Sequence, residues 1–192
     1  MNNKPEELIK QVLYTIGETP EREGLKGTPE RVVKMWSEIF RGYDEKQRPK
    51  MAIFPNGKDG IVYDQMIIDE GSFYSHCEHH MVPFFGKYYF AYIPAKDGLI
   101  IGLSKVARLV GFHAAKLQIQ ERLVHDIVED LWQALSVDGK EPLGMGLVMI
   151  GEHLCKTMRG VKMKGQMTTI KLKGVLLDEQ TAKHEFLNRC KI

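Results

Sequence analysis

Leu123, Ile127, Leu131 and Leu135 recur at every fourth residue, with Val124, Val128 and Trp132 beside them and Ile119 one turn earlier. That spacing puts the apolar side chains on one broad face and predicts a helix from about Gln120 to Leu135. Leu103, Ala107 and Val110, flanked by Val106 and Leu109, predict a preceding helix from Gly102-Leu103-Ser104-Lys105 to about Lys116. Two more fall near the start of the chain. Leu8, Val12 and Ile9, Leu13 share a face over residues 5–16, behind Pro5, Glu6 and Glu7. Thr28-Pro29-Glu30-Arg31 opens the second, with Thr28 as cap, Pro29 at the first helical position and Glu30 suited to the helix dipole. Val32, Val33, Met35, Trp36, Ile39 and Phe40 supply its apolar side, and Gly42 ends it.

Elsewhere the pattern is that of strands. Ile61 to Ile68 predicts one, and Lys87 to Ile93 is rich in aromatic β-formers. Asp97-Gly98 is a turn before Leu99-Ile100-Ile101. Gly144 to Leu154 is a hydrophobic strand, and Met167 to Leu172 alternates enough to pair back on it. Residues 43–60 are polar and broken by Pro and Gly, which predicts a connecting segment. The charged tail, with Glu185-Phe186-Leu187 ahead of Cys190, receives no element. The fold class is therefore α+β, antiparallel hairpins around a pair of helices. Residues 1–60 form an N-terminal helical segment and linker, and residues 61–192 the main domain.

Composition narrows the function classes. At 192 residues, 43% hydrophobic and 27% charged, the chain suits one globular domain with an N-terminal appendage. A net charge of +2 gives no bulk reason to expect nucleic-acid binding. No apolar run has the length of a signal peptide or a membrane span. Three cysteines without such a signal predict a reducing, cytoplasmic setting and no disulfide framework.

The reactive side chains cluster. Ser75-His76-Cys77-Glu78-His79-His80 is followed far downstream by His153-Leu154-Cys155. Thiolate and neutral imidazole are the usual ligands of zinc. Cys77 and His80 face opposite ways on an extended strand, so they meet at one ion only if the chain turns there. His153 and Cys155 share a face of a strand. A plausible site takes Cys77 and His80 from a turn and Cys155 from a strand, leaving His79 and His153 beside it. Such a three-ligand site keeps a position for water, as catalytic zinc does, whereas two thiolates and two imidazoles would make a closed structural site. The alternative is that either cysteine is an ordinary buried thiol. No Walker or G-x-G-x-x-G loop is present, so any phosphate would be held by side chains. The junction Gln118-Ile119-Gln120-Glu121 is read either as a helix-terminal charge with surface amides or as the floor of a pocket for a base, since an amide and a carboxylate together match a guanine edge.

Cys77-Glu78-His79-His80, Pro83-Phe84, Ala91-Tyr92-Ile93-Pro94, Gly102-Leu103-Ser104-Lys105, Leu117 to Leu123, His153-Leu154-Cys155 and Met158-Arg159-Gly160 stand in the order seen in one family. Over residues 28–187 the chain resembles GTP cyclohydrolase I. The resemblance implies an enzyme that opens the imidazole ring of GTP, releases formate and rebuilds the ring as 7,8-dihydroneopterin triphosphate. It implies zinc (Zn2+, one per subunit) on Cys77, His80 and Cys155, with solvent activated there attacking C8 of the purine. His79 and His153 would carry protons, and Ser104 would lie near the ribose and phosphates. Gln120 and Glu121 would hold the guanine, and Arg31, Lys105, Arg108 and Arg159 the triphosphate. It also implies the tunnelling fold for residues 61–192, an antiparallel sheet with two helices on one face, and a toroidal homodecamer with sites shared between chains. Folate, biopterin and deazaguanine routes all use such a product.

The sequence departs from the family in four places. Ile150 stands where an acid is usual, and Glu152 is an added acid beside His153. Ala115-Lys116 replaces paired arginines, Gly165 and Met167 replace hydroxyl residues, and Ala182-Lys183-His184 precedes Glu185-Phe186-Leu187. Two other readings compete: a protein that uses zinc only to hold its fold or binds nucleotide without turnover, and a nitrile reductase of 7-deazaguanine synthesis, which needs a thiol nucleophile and no zinc.

Overall fold

In the computed structural model, which describes residues 4–191, the apolar stripes become helices. The elements in order are α1 (Pro5–Thr15), α2 (Thr28–Ile39), β1 (Ile53–Pro55), β2 (Ile67–Cys77), β3 (Pro83–Ile93), β4 (Leu99–Ile101) and α3 (Leu103–Ala114). They continue with β5 (Leu117–Gln118), α4 (Gln120–Leu135), β6 (Gly144–His153), α5 (Leu154–Thr157), β7 (Gln166–Gly174), α6 (Val175–Asp178) and α7 (Gln180–Arg189). Five strands form one sheet in the order β5-β2-β3-β6-β7, antiparallel except for the short β2–β5 pair. β1 and β4 pair separately.

The sheet has a different covering on each face. On one, α3 and α4 bury Leu109, Leu123, Ile127 and Leu131 against Phe73, Phe84, Phe90, Leu147 and Met149. On the other, a smaller cluster gathers Ala91, Val148, Leu172, Leu176, Phe186 and Cys190 under the C-terminal helices. This is the expected α+β arrangement of an antiparallel sheet with a helix pair on one face. Among the described residues no helix is long and apolar enough to cross a membrane.

Four local expectations are corrected. Residues 61–66 are not a strand: Ile61 is 60% exposed, and the Tyr63 backbone is held instead by Asn56, whose Oδ1 accepts from Tyr63 N (2.9 Å) and whose Nδ2 donates to Tyr63 O (2.7 Å). The strand begins at Ile67 and runs through Cys77, with Phe73, Ser75 and Cys77 inward and Ser72 and Tyr74 outward. A serine at a core-facing position hid that alternation. The linker contains β1, and the charged tail contains α7, anchored by the fully buried Phe186. Thr28 is the first helical residue, with Gly27 before it, and makes no side-chain cap.

β3 lies at the centre, and Gly86 lets it approach β6 closely. A Cβ added there would lie 1.9 Å from the Ile150 carbonyl oxygen, a distance no side chain tolerates.

Leu131 is completely buried between α4 and the sheet. Leu131→Ala is expected to lower unfolding free energy by about 2–5 kcal/mol. Urea titration at fixed protein concentration measures it, and a loss well under 1 kcal/mol would place Leu131 outside a packed core.

Candidate active site

Register assembles the end of the sheet. Phe84 pairs with Ser75 on one side and with His153 on the other, while Cys77 lies beside Gln118. β2 ends at Cys77 and the chain turns back at once. Met81 takes a left-handed conformation (φ 57°), and its N–H donates to Cys77 O (2.8 Å). Cys77 N–H donates in turn to Val82 O (2.9 Å). The turn brings His80 Nδ1 to 4.0 Å and His79 Nδ1 to 3.7 Å from Cys77 Sγ.

Cys155 arrives from the first turn of α5, two residues beyond the end of β6. It does not share a strand face with His153 as expected, because Met158 N–H donates to Leu154 O (3.1 Å) and the chain has already coiled. Ligand atoms of Cys77, His80 and Cys155 nonetheless lie within 4.8 Å of one another. Ligands of one tetrahedral zinc sit roughly 3.5–3.8 Å apart, so the group closes on an ion by about an ångström at most. Burial, with Cys77 alongside, pushes the Cys155 thiol up from its ordinary value. A divalent cation between the two sulfurs reverses that preference. The donor set therefore fits zinc.

His153 is held on two sides. Its ring stacks on Phe84, with centroids 4.5 Å apart and planes 6° from parallel, and its Nε2 lies 2.9 Å from Gln120 Oε1. Burial lowers the pKa of His153, which keeps it neutral at pH 7, with the Glu121 charge acting against that shift. Gln120, at the first position of α4, is fully buried, and Glu121 next to it is exposed. His79 is 64% exposed. Glu78 pairs with Arg122 of α4, whose Nε donates to Gln118 Oε1 (2.9 Å), and Glu78 N–H donates to Gln118 O (3.0 Å). The turn that carries His79 and His80 is thereby tied to the start of α4. Arg159 Nη1 donates to His80 Nε2 (3.0 Å).

Other expected site residues lie elsewhere in the chain. Ser104 and Lys105 open α3 just after β4, where Ile101 N–H donates to the Tyr92 hydroxyl (3.2 Å) and Tyr92 pairs with Ile67. Leu103 and Val106 line a cavity with Ile67 and Tyr92 there. Cys77 is at the other end of the 11-residue β2, which spans roughly 35 Å. Arg108, midway along α3, faces a cavity with Arg41 and Phe112. Arg31 lies in the first turn of α2, about 13 Å along the helix axis from Phe40, which packs on His76. One chain thus gathers Cys77, His79, His80, Gln120, Glu121, His153, Cys155 and Arg159, while Ser104 and Lys105 lie toward the other end of β2. Phe84, Arg122 and Thr169 were given no role from the sequence; cross-strand register brings in Phe84 and Thr169, and α4 brings in Arg122.

The third cysteine supplies an internal control. Cys190 is buried in the second core, its thiol pushed up to about 11 mainly by burial, with Sγ donating to Phe186 O (3.2 Å). Purified protein is expected to hold one zinc per chain by elemental analysis. Cys77→Ala and Cys155→Ala lose it, and Cys190→Ala keeps it. Metal retained in the first two, or lost in the third, would sink the assignment.

A family model described as GTP cyclohydrolase I matches residues 5–191. The GTP cyclohydrolase 1 of Clostridium kluyveri is 40% identical over 189 residues, covering 97% of this chain and 94% of that protein. That of Bacillus subtilis is 40% identical over 188 residues, covering 97% and 94%. That of Aquifex aeolicus is 42% identical over 191 residues, covering 98% and 96%. A crystal structure of an archaeosine synthase QueF-like protein in the apo form aligns at 12% identity and a TM-score of 0.45, over 57% of this chain and 93% of that one. By the family model and by these relatives, the chain belongs to the GTP cyclohydrolase I family.

Proposed function

We propose that this protein hydrolyses the imidazole ring of GTP, releases carbon 8 as formate and yields 7,8-dihydroneopterin triphosphate. The observation that carries the reading is a three-ligand group with two histidines beside it, one held neutral and fixed in orientation, the other open to solvent. A fold-stabilising zinc site has no use for that pair.

Cys77, His80 and Cys155 would hold the zinc, which supplies Lewis acidity that brings the pKa of water to about 7. The chain's own side chains do the rest. The exposed Glu121 carboxylate accepts from guanine N1–H and the 2-amino group. The neutral His153 takes up a proton, and the accessible His79 gives one to a departing ring nitrogen. Both C–N bonds at C8 break by hydrolysis. An Amadori-type rearrangement of the ribose follows, and closure of the new ring returns one of the two waters.

The triphosphate needs cations. Arg159 is already in the site. Ser104 and Lys105 lie toward the far end of β2 from Cys77, which supports a site completed by a neighbouring copy in a homo-oligomer, by resemblance a toroidal decamer. Leu8, Val12, Tyr14 and Ile16 of the N-terminal helical hairpin are exposed, apolar surface of the kind such assembly covers.

Two outcomes are expected. His153→Ala keeps its zinc and produces no formate from GTP; zinc loss in that variant would make His153 a ligand and overturn the roles. When inactive Lys105→Ala and inactive His153→Ala chains are dissociated and reassembled together at 1:1, about a quarter of the sites pair two intact contributions, so roughly that share of wild-type formate release returns. Mixed oligomers without activity would confine each site to one chain.

A further inference from the structure

We infer that Gln120 is a positioning residue for His153 and not a contact for the guanine edge: its amide fixes the imidazole with the proton on Nε2 and leaves Nδ1 as the proton-accepting nitrogen. This rests on the proton-carrying role of His153 proposed above.

The neighbours settle which way the amide points. Gln120 Nε2 faces three acceptors, Met149 O (3.0 Å), Met167 O (3.0 Å) and Thr169 Oγ1 (2.9 Å). Turned over, the amide would set its oxygen against two carbonyl oxygens, so the nitrogen belongs there. Oε1 is then what meets His153 Nε2 at 2.9 Å. An amide oxygen only accepts, so Nε2 must carry the proton, and a neutral imidazole has its lone pair on Nδ1. Phe84, stacked on the ring, fixes the plane in which that lone pair lies.

β6 makes room for this contact at Gly151. A Cβ there would stand 2.5 Å from Gln120 Oε1 and 3.2 Å from the Phe73 ring. The contact is also sealed off. Gln120 has no exposed surface, and its amide hydrogens are taken by the backbone of two strands and by Thr169. Glu121, one residue on, is exposed. Consecutive helical residues point about 100° apart, so the amide and the carboxylate have separate roles, Gln120 serving the base and Glu121 the nucleotide.

The test separates the two roles by steady-state kinetics on zinc-loaded Gln120→Met, Gly151→Ala, Thr169→Val and Glu121→Gln enzymes, with GTP and with ITP, which lacks the 2-amino group. Positioning predicts that Gln120→Met and Gly151→Ala lower kcat by roughly 10–100-fold, keep KM for GTP within about twofold, and keep the preference for GTP over ITP. Thr169→Val gives a smaller fall with the same split. Glu121→Gln raises KM and erases the preference. Because Gly151 and Gln120 act on one contact, the double variant falls little further than either single one. A KM rise of tenfold or more with little change in kcat for Gln120→Met, or loss of its preference for GTP over ITP, would return Gln120 to the guanine and overturn the inference. So would a Gly151→Ala enzyme with wild-type kcat. Should Gln120→Met or Gly151→Ala not fold, the Thr169→Val split decides alone. A wild-type enzyme that releases no formate would instead sink the proposed function, an outcome distinct from each of these.

Discussion

Everything at the candidate site depends on the register of β3. That strand pairs along its full length with β2 on one side and β6 on the other, setting Phe84 between Ser75 and His153. Side chains alternate with a period of two, so a slip by one residue on either side would turn His153 away from Phe84 and from Gln120. The register is pinned by the inward set of Phe84, Tyr88, Phe90 and Tyr92, which only one pairing buries under α3 and α4. Gly86 adds a steric lock, since its missing Cβ is where the Ile150 carbonyl sits. Ligand geometry here is a consequence of sheet packing.

The second constraint is electrostatic. Two thiols and an imidazole meet at the end of a sheet where burial raises the Cys155 pKa and lowers that of His153. Both shifts have the same origin, desolvation of the charged form. Their consequences differ. For the thiol, a cation held there would favour loss of the proton, and metal affinity would then be coupled to pH and to folding. For His153, the shift favours the neutral imidazole, the form that the proposed proton-carrying role needs. Glu78 and Arg122 keep the turn that carries His79 and His80 attached to α4, so the candidate ligand His80 and the Gln120–His153 contact share one support.

How much of this was legible follows from the range of each interaction. The stripe from Leu123 to Leu135 announced α4 because helical periodicity is local. The ordered motifs pointed to Cys77, His80 and Cys155, which the fold does bring together, since residue type and spacing are visible in one dimension. The strand through Phe73, Ser75 and Cys77 was hidden by a serine on its inner face, and α7 by a charged exterior around one buried Phe186. Cys155 was expected on a strand because the short coil of α5 carries no periodic signal. Gln120 and Glu121 read as one unit because they are adjacent; on a helix, adjacency sends one side chain into the sheet and the other to solvent.

The placement of α3 has a consequence for assembly. One end of this 12-residue helix leads through β5 to Cys77, and the other carries Ser104 and Lys105 about 18 Å away. If the neighbouring copy completes the site as proposed, one triphosphate is held by Arg159 of one chain and Lys105 of the next. Nucleotide affinity and subunit affinity are then linked, because whatever binds only the assembled form stabilises it by mass action. The linkage is reciprocal, so a weakened interface raises the GTP concentration needed to fill the site even when every side chain touching GTP is intact. Apolar packing between subunits and charge pairing with substrate therefore act on the same equilibrium. Substitutions at the exposed face of α1 would in that case be read in KM before they are read in zinc content, because the metal ligands belong to one chain and the phosphate ligands to two.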